Sequence, residues 1–252
     1  MLRPDASHLA DTLPDTPQTV LPRHFLGRPG TRAYADADPW RNTVIVTEHP
    51  EIMFADGEDP AVLAALLGAA GAAGRPVWTR LEIAEGVAAA LRDATGTART
   101  ISPVRQKHAH RAPASPCPEG AGVRLLTPAD AELLERADAQ LNWVFDGFGG
   151  RQGMLQEGLV AAGIVGGEVV ALATTFGRSR LHADIGVHTH SDYRVRGLCT
   201  ACAAALMRAI WASRQTPVWT VEDTNGASRR VSEKLGFELF SSAAVIRPET
   251  GP

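Results

Sequence analysis

The sequence predicts a mixed α/β (α+β) protein built in two unequal parts, and three observations carry that prediction. Short β-branched or apolar runs alternate with stretches whose apolar residues recur at helical spacing. The 252 residues are 44% hydrophobic and 21% charged, which supports a buried core and excludes disorder of the whole chain. Residues 112–122 read APASPCPEGAG, too dense in Pro and Gly for helix or sheet, so a linker at 112–121 divides the chain.

Residues 1–39 mix Pro, Asp and Thr without a period and read as an irregular, loosely packed arm. A small α/β unit follows at 40–111. Thr43 to Thr47 is β-branched, Ile52 to Ala55 is a short apolar run, and Asp56-Gly57 reads as a turn, giving two strands. Asp59-Pro60 supplies an N-cap and a first helical residue for Ala61 to Ala73. Pro76 to Thr79 reads as a third strand, and Glu82 to Ala94 as a second helix stopping before Thr95-Gly96.

The second part, 122–252, opens with a strand at Gly122 to Leu126, a helix at Pro128 to Ala137 behind Thr127, and a helical stretch around Gln140 to Phe145. Gly147 to Gly153 breaks the pattern. Two apolar runs, Gly158 to Val165 and Glu168 to Phe176, are joined by Gly166-Gly167, a hairpin signal. Leu181 to His188 alternates as a strand. A long helix at Leu198 to Ser213, a strand at Pro217 to Val221, a helix at Ala227 to Leu235 and a strand at Glu238 to Ile246 complete the order.

A net charge of -3 argues against a general nucleic-acid binder, which needs a concentrated basic surface. The longest apolar stretch, Ala61 to Gly74, is too short to span a bilayer, so no membrane partner is expected. Met1 to Thr19 lacks the apolar segment of a secretory signal. Three cysteines, Cys117, Cys199 and Cys202, suit a reducing compartment, and a cytoplasmic location is the expectation.

The chemistry concentrates in Asp192-Tyr193-Arg194-Val195-Arg196-Gly197-Leu198-Cys199-Thr200, between a strand and a long helix. A glycine lets backbone approach a ligand, a helix N-terminus presents unpaired N–H groups, and two arginines add positive charge. Such a turn can hold a phosphate. It can equally be an ordinary connection with solvated arginines.

Arg194-x-x-Gly197-x-Cys199 resembles the Q/R-x-x-G-x-G/A acyl-CoA pyrophosphate loop of the GNAT (GCN5-related) N-acetyltransferases. The segments around it are similar to that family in order and spacing: His182-Ala-Asp184-Ile-Gly-Val187-His-Thr189, Pro217-Val-Trp219, Asn225-x-x-Ser228 and Glu233-Lys-Leu-Gly236-Phe237. The subgroup that includes zwittermicin A resistance acetyltransferases resembles them most. The resemblance covers about residues 120 to 250 and implies a GNAT domain at 122–252, with a mixed, mostly antiparallel twisted sheet flanked by helices.

It also implies acetyl-CoA as co-substrate, no metal, and direct transfer in a ternary complex to a primary amine, most simply of a small molecule. The backbone at Val187, His188 and Thr189 would pair with the pantetheine arm, and the N–H groups of Val195, Arg196, Gly197, Leu198, Cys199 and Thr200 would wrap the pyrophosphate. Arg194 and Arg196 would balance its charge. Asn225 would touch the CoA arm, and Ser228 would sit near the thiol. Cys199 departs from the usual Gly or Ala, which bears on affinity rather than on fold.

Deprotonating an ammonium calls for a base. Asp184, on an alternating strand with Gly186 and His188, matches the acidic position of the subgroup; a solvated or Arg-paired carboxylate is the plain alternative. Glu222 and Asp223 are the next candidates, and either could cap the following helix instead. The family's Tyr acid falls at Ser232 here, which leaves a water, Ser228 or no dedicated acid to protonate the thiolate. Cys199-Thr-Ala-Cys202 admits two other readings, a redox pair, or a zinc site with His188 and His190. A catalytically weak acyl-CoA-binding sensor or scaffold of GNAT fold is the alternative function, and acylation of a protein or peptide N-terminus is a third. The 40–111 unit repeats in outline the strand–helix alternation of the second part but has no Gly-rich turn flanked by Arg. It should dock on the second part and border the acceptor cleft.

Overall fold

The computed structural model describes residues 2–37, 39–48, 50–111, 113 and 118–249. The first forty residues are not an irregular arm. They form α1 (Ala6–Thr12), α2 (Val20–Leu26) and β1 (Arg32–Ala35). Each helix has only seven residues, too few to show a period, so local cues and burial make them. Asp5 accepts the backbone N–H groups of Ser7 and His8, and Pro22 lies in the first turn of α2, where a missing N–H costs nothing. Leu9, Val20 and Phe25 are buried in the core.

β2 (Asn42–Val46) and β3 (Met53–Gly57) are antiparallel, and their turn runs from Thr47 to Ile52. Asp56-Gly57 ends β3 instead of turning the chain. After α3 (Pro60–Ala69), β4 (Val77–Arg80) and α4 (Leu81–Thr95) comes β5 (Arg99–His108), a ten-residue strand. The sequence reading omitted β5 because its pattern carries Pro103, Arg105 and Lys107.

The second part contains β6 (Gly122–Leu125), α5 (Ala131–Glu135), a 3-10 segment (Ala139–Phe148), α6 (Arg151–Glu157), β7 (Val160–Val165), β8 (Glu168–Arg178) and β9 (His182–Thr189). It closes with α7 (Leu198–Ala212), β10 (Thr216–Glu222), α8 (Gly226–Lys234) and β11 (Glu238–Pro248). Most of the linker expected at 112–121 lies outside the described residues.

All the named strands join one open, mostly antiparallel sheet in the order β1-β2-β3-β4-β11-β5-β10-β9-β8-β7-β6. The order is nearly palindromic about the β11–β5 pair. In each half two antiparallel pairings are followed by one parallel pairing, β3 with β4 and β9 with β10. The last strand of each half then crosses over. β5 pairs with β10 of the second half, β11 pairs with β4 of the first, and the two exchanged strands pair with each other. The Leu2–Ala35 bridge stands beside β1 as β6 stands beside β7.

Helices cover both faces. α3 and α4 enclose a core with Val44, Met53, Val77 and Ile246, and α7 encloses one with Ile185, Trp219 and Phe237. On the opposite face α1 and α2 pack Phe25 and Leu26 against Ile45, Phe54 and Val218. α2 therefore belongs in sequence to the first half and lies against strands of both.

Candidate functional site

β9 and β10 are paired only at His182–Thr216, Ala183–Pro217 and Asp184–Val218. Beyond Asp184 they separate, and the backbone edge of residues 185–189 that would face β10 has no strand beside it. A cleft of about 590 Å³ opens there, lined by Ile185, Gly186 and Val187 on one side and by Trp219, Thr220 and Val221 on the other. The first part of the chain supplies Leu21, Ile52 and Trp78 to its wall.

Asp184 stands at the apex of this split, 4% exposed. Burial pushes its carboxyl up to about 7, against the opposing effect of the Thr220 hydroxyl, which donates to Asp184 Oδ1 at 2.7 Å. An acid tuned near neutrality, in a cleft, has the balance of protonated and ionised forms that proton transfer requires. Among the described residues no Lys or Arg pairs with Asp184. Glu222 also lines the cleft but is clamped by Arg247 at 2.6 and 3.4 Å, and Asp223 lies outside it, paired with Arg105. Arg105 holds the Asp223 carboxyl below the ordinary range. An ion-paired carboxylate is a weak base, so both geometries favour an anchoring role.

The phosphate-type loop leaves β9 at Thr189 and enters α7 at Leu198. Val195 and Gly197 both have left-handed backbone, with φ of 62° and 80°. For a β-branched residue such as Val195 that is a true outlier, and its side chain projects fully into solvent. No side chain caps α7, and its first backbone bond runs from Ala201 N–H to Gly197 O. The N–H groups of Leu198, Cys199 and Thr200 thus have no intrahelical acceptor. Arg194 and Arg196 are exposed, Arg194 donating to Thr189 O at 3.3 Å and Arg196 lying over the Tyr193 ring. An uncapped helix start, left-handed turns and two cations fit a pyrophosphate.

Asn225 and Ser228 lie on the rim of the cleft. Asn225 caps α8 by accepting the Ser228 N–H at 3.1 Å. The Ser228 oxygen accepts Trp219 Nε1–H at 3.0 Å, which leaves its own proton for donation. Ser232, where the family has Tyr, is fully buried; it accepts from Lys107 Nζ at 3.0 Å and donates to Arg229 O. It cannot reach the cleft.

His188 is half-buried and takes a hydrogen bond from Trp143 Nε1–H on Nδ1 at 3.1 Å. An indole N–H only donates, so Nδ1 must be the bare nitrogen and the proton sits on Nε2, which is buried without a partner among the described residues. Burial and then Arg194 lower the imidazole's proton affinity and keep it neutral. This Trp143–His188 pair was missed in the sequence because 45 residues separate its members. Cys202 packs into the core under α7, and burial pushes the Cys199 thiol up to about 11. Among the described residues no three His, Cys, Asp or Glu side chains cluster as metal ligands. No described helix is long and apolar enough to cross a membrane.

A model of the GNAT acetyltransferase family matches residues 113–243, just over half of the chain. The chain belongs to the GNAT acetyltransferase family. Over 117 residues it is 34% identical to an uncharacterised N-acetyltransferase of Streptomyces virginiae, spanning 45% of this chain and 49% of that protein, about half of each. Across nearly its full length its fold is that of a GCN5-related N-acetyltransferase-like protein from Streptococcus suis, with a TM-score of 0.70 at 18% identity, covering 97% of this chain and 98% of that one. A tandem GNAT protein from the clavulanic acid biosynthesis pathway superimposes with a TM-score of 0.59 at 14% identity, covering 98% and 95%. These likenesses are in fold, and they cover the first half, which the family model does not reach.

Proposed function

We propose that this GNAT protein transfers the acetyl group of acetyl-CoA to the primary amine of a small molecule, by direct attack in a ternary complex. The observation that carries the reading is Asp184, a buried carboxyl poised near neutrality where β9 and β10 part, within a cleft that leads toward an uncapped helix start. Acetyl-CoA would supply the thioester. Residues 187–189 offer backbone edge to its pantetheine, and Val195 to Thr200, with Arg194 and Arg196, suit its pyrophosphate.

Asp184 would accept a proton from the acceptor ammonium. The freed nitrogen lone pair forms the C–N bond as the C–S bond breaks; the nitrogen gives up its second proton and the departing thiolate takes one, relayed through the Ser228 hydroxyl, which donates and is reprotonated, or through water. Trp143 and Trp219 line the site and limit the approach of water. The fragment pattern shared with the zwittermicin A resistance subgroup supports an acidic base at this strand position. We assign transfer to residues 122–252 and framing of the acceptor to residues 1–111, since Leu21, Ile52 and Trp78 line the cleft. A cytoplasmic setting, consistent with a Cys199 thiol outside any disulfide, is part of this reading.

A second reading, an acyl-CoA-binding module with little turnover, draws on the loss of the Tyr acid to a buried Ser232. Thiol release from acetyl-CoA in the presence of a primary-amine library separates the two. Amine-dependent release supports transfer; tight CoA binding without release supports the module.

A further inference from the structure

The sheet carries a second hollow, a chamber of about 210 Å³ walled by Ile45, Phe54, Trp78 and Ala243 from the strands and by Leu13 and Leu21 from the α1–α2 region. The palindromic strand order explains its position. β3 and β4 part after Phe54 and Trp78 just as β9 and β10 part after Asp184 and Val218. The chamber is the first half's counterpart of the Asp184 cleft.

Its acyl-CoA entrance is closed. Arg80 Nε meets Asp56 Oδ1 at 2.7 Å across the parted strands, and Asp59 caps α3, accepting the N–H groups of Ala61 at 2.9 Å and Val62 at 3.3 Å. The helix start that stands open at α7 is occupied here by the chain's own carboxylate. What remains is a mainly apolar space that also presents the Thr79 hydroxyl, buried without a partner among the described residues, and whose charged lining residues, Asp56 and Arg80, neutralise each other.

The chamber adjoins the Asp184 cleft. Leu21 and Trp78 line both, and Gln106 of β5, which borders the chamber, lies opposite Thr220 of β10 in the strand register. Asp184 stands in register with Val218, and Thr220, two residues further along β10, reaches it through its hydroxyl and faces Gln106, so Asp184 and the chamber's edge are two strand spacings apart across the sheet and two residues apart along it, about 12 Å. Gln106 is already used, donating to Gln18 O and accepting from Ser241, so this edge adds no free charge or open polar demand.

We propose that the chamber receives the far end of the acceptor, an uncharged aromatic or branched aliphatic group carried on a chain of about four carbons from the primary amine that Asp184 deprotonates. This rests on the transfer reading above. A second ammonium in the chamber would be desolvated with no anion to pair with, because Asp56 is already held by Arg80.

Phenylbutylamine and diaminobutane, equal in chain length, test the assignment with acetyl-CoA. The wild type should favour phenylbutylamine in kcat/KM by roughly tenfold or more, and Ala243→Leu, which fills the chamber, should erase roughly tenfold of that preference through KM. Affinity for CoA, measured by calorimetry, reports whether the variant is folded; Thr43→Leu fills the chamber from another strand if it is not. Binding of the unreactive phenylbutanol in the presence of CoA is read separately. If no amine is acetylated yet phenylbutanol binds the wild type and fails to bind the filled variant, the chamber stands and the transfer reading falls. A preference for the diamine, a preference unchanged by filling, or no binding of phenylbutanol overturns the proposal.

Discussion

Replacing Asp184 by Asn should remove activity and add stability at the same time. The carboxyl ionises near 3.8 in an unfolded chain and near 7 when buried at the apex of the β9–β10 split. Between those values the folded protein keeps its proton while the unfolded chain has released it. The contribution to stability is therefore full below pH 3.8, falls as pH rises, and levels off above about 7. A shift of about 3 units at roughly 1.4 kcal/mol each sets the loss at about 4 kcal/mol. Asp184→Asn carries no such dependence, and its side-chain oxygen can still accept from Thr220. Urea unfolding should show wild type and variant similar near pH 4.5, with the variant the more stable at pH 8 by up to about 4 kcal/mol. In the same preparation kcat/KM should drop by about 10² or more and lose its rise with pH through neutrality. Parallel stability curves from pH 4.5 to 8 would refute a raised carboxyl, and wild-type turnover would move the base to Glu222 or to a water.

Gly197→Val places a β-branched residue at a φ of 80°, where its Cβ finds only ordinary contact with Pro118; the strain is in the backbone, so CoA affinity should fall by roughly tenfold or more in calorimetry with the circular dichroism unchanged. Cys199 starts a helix, a position that ordinarily activates a thiol, yet burial moves it from 9.0 to about 11. Mass spectrometry should therefore find it alkylated by iodoacetamide at pH 8 about a hundredfold more slowly than an unshifted thiol. A fragment beginning at Gly120 lacks β5, which leaves β10 and β11 without the strand between them; it should aggregate on expression, and a soluble, active fragment would show that the exchanged strand is dispensable.

The site was legible where chemistry follows chain order. The Arg194–Thr200 turn and the alternation that places Asp184 depend on neighbours within a few residues, and their spacing survives as text; the cap of α8 did not, since Asn225 makes it where Glu222 or Asp223 was expected to. The first half was less legible because its structure answers to distant contacts. α1 and α2 are too short to show a period and are held by burial against β2, β3 and β10. β5 contains Pro103 and a Lys107 whose ammonium reaches Ser232, a partner 125 residues away. The tautomer of His188 is set by Trp143, equally beyond local spacing. The end of the second strand was placed at Ala55 because Asp56-Gly57 reads as a turn dipeptide, whereas β3 runs through it to Gly57. α6 was lost to Gly153, which sits in a helix where a Cβ would press on the Phe148 carbonyl.

The crossing of β5 and β11 sets an order for synthesis. As the chain leaves the ribosome, β1 to β4 can assemble early, but the edge of β4 waits for β11, which follows it by more than 150 positions. For most of that interval β5 lacks both of its eventual neighbours, and β10 arrives before β11. The nascent protein therefore carries open strand edges until β11 has been made, a long-range closure that folds slowly and exposes the intermediate to association. A pause or a premature stop within the eleven residues of β11 leaves both halves unfinished, so the codons of that one strand control the solubility of residues made two hundred positions earlier.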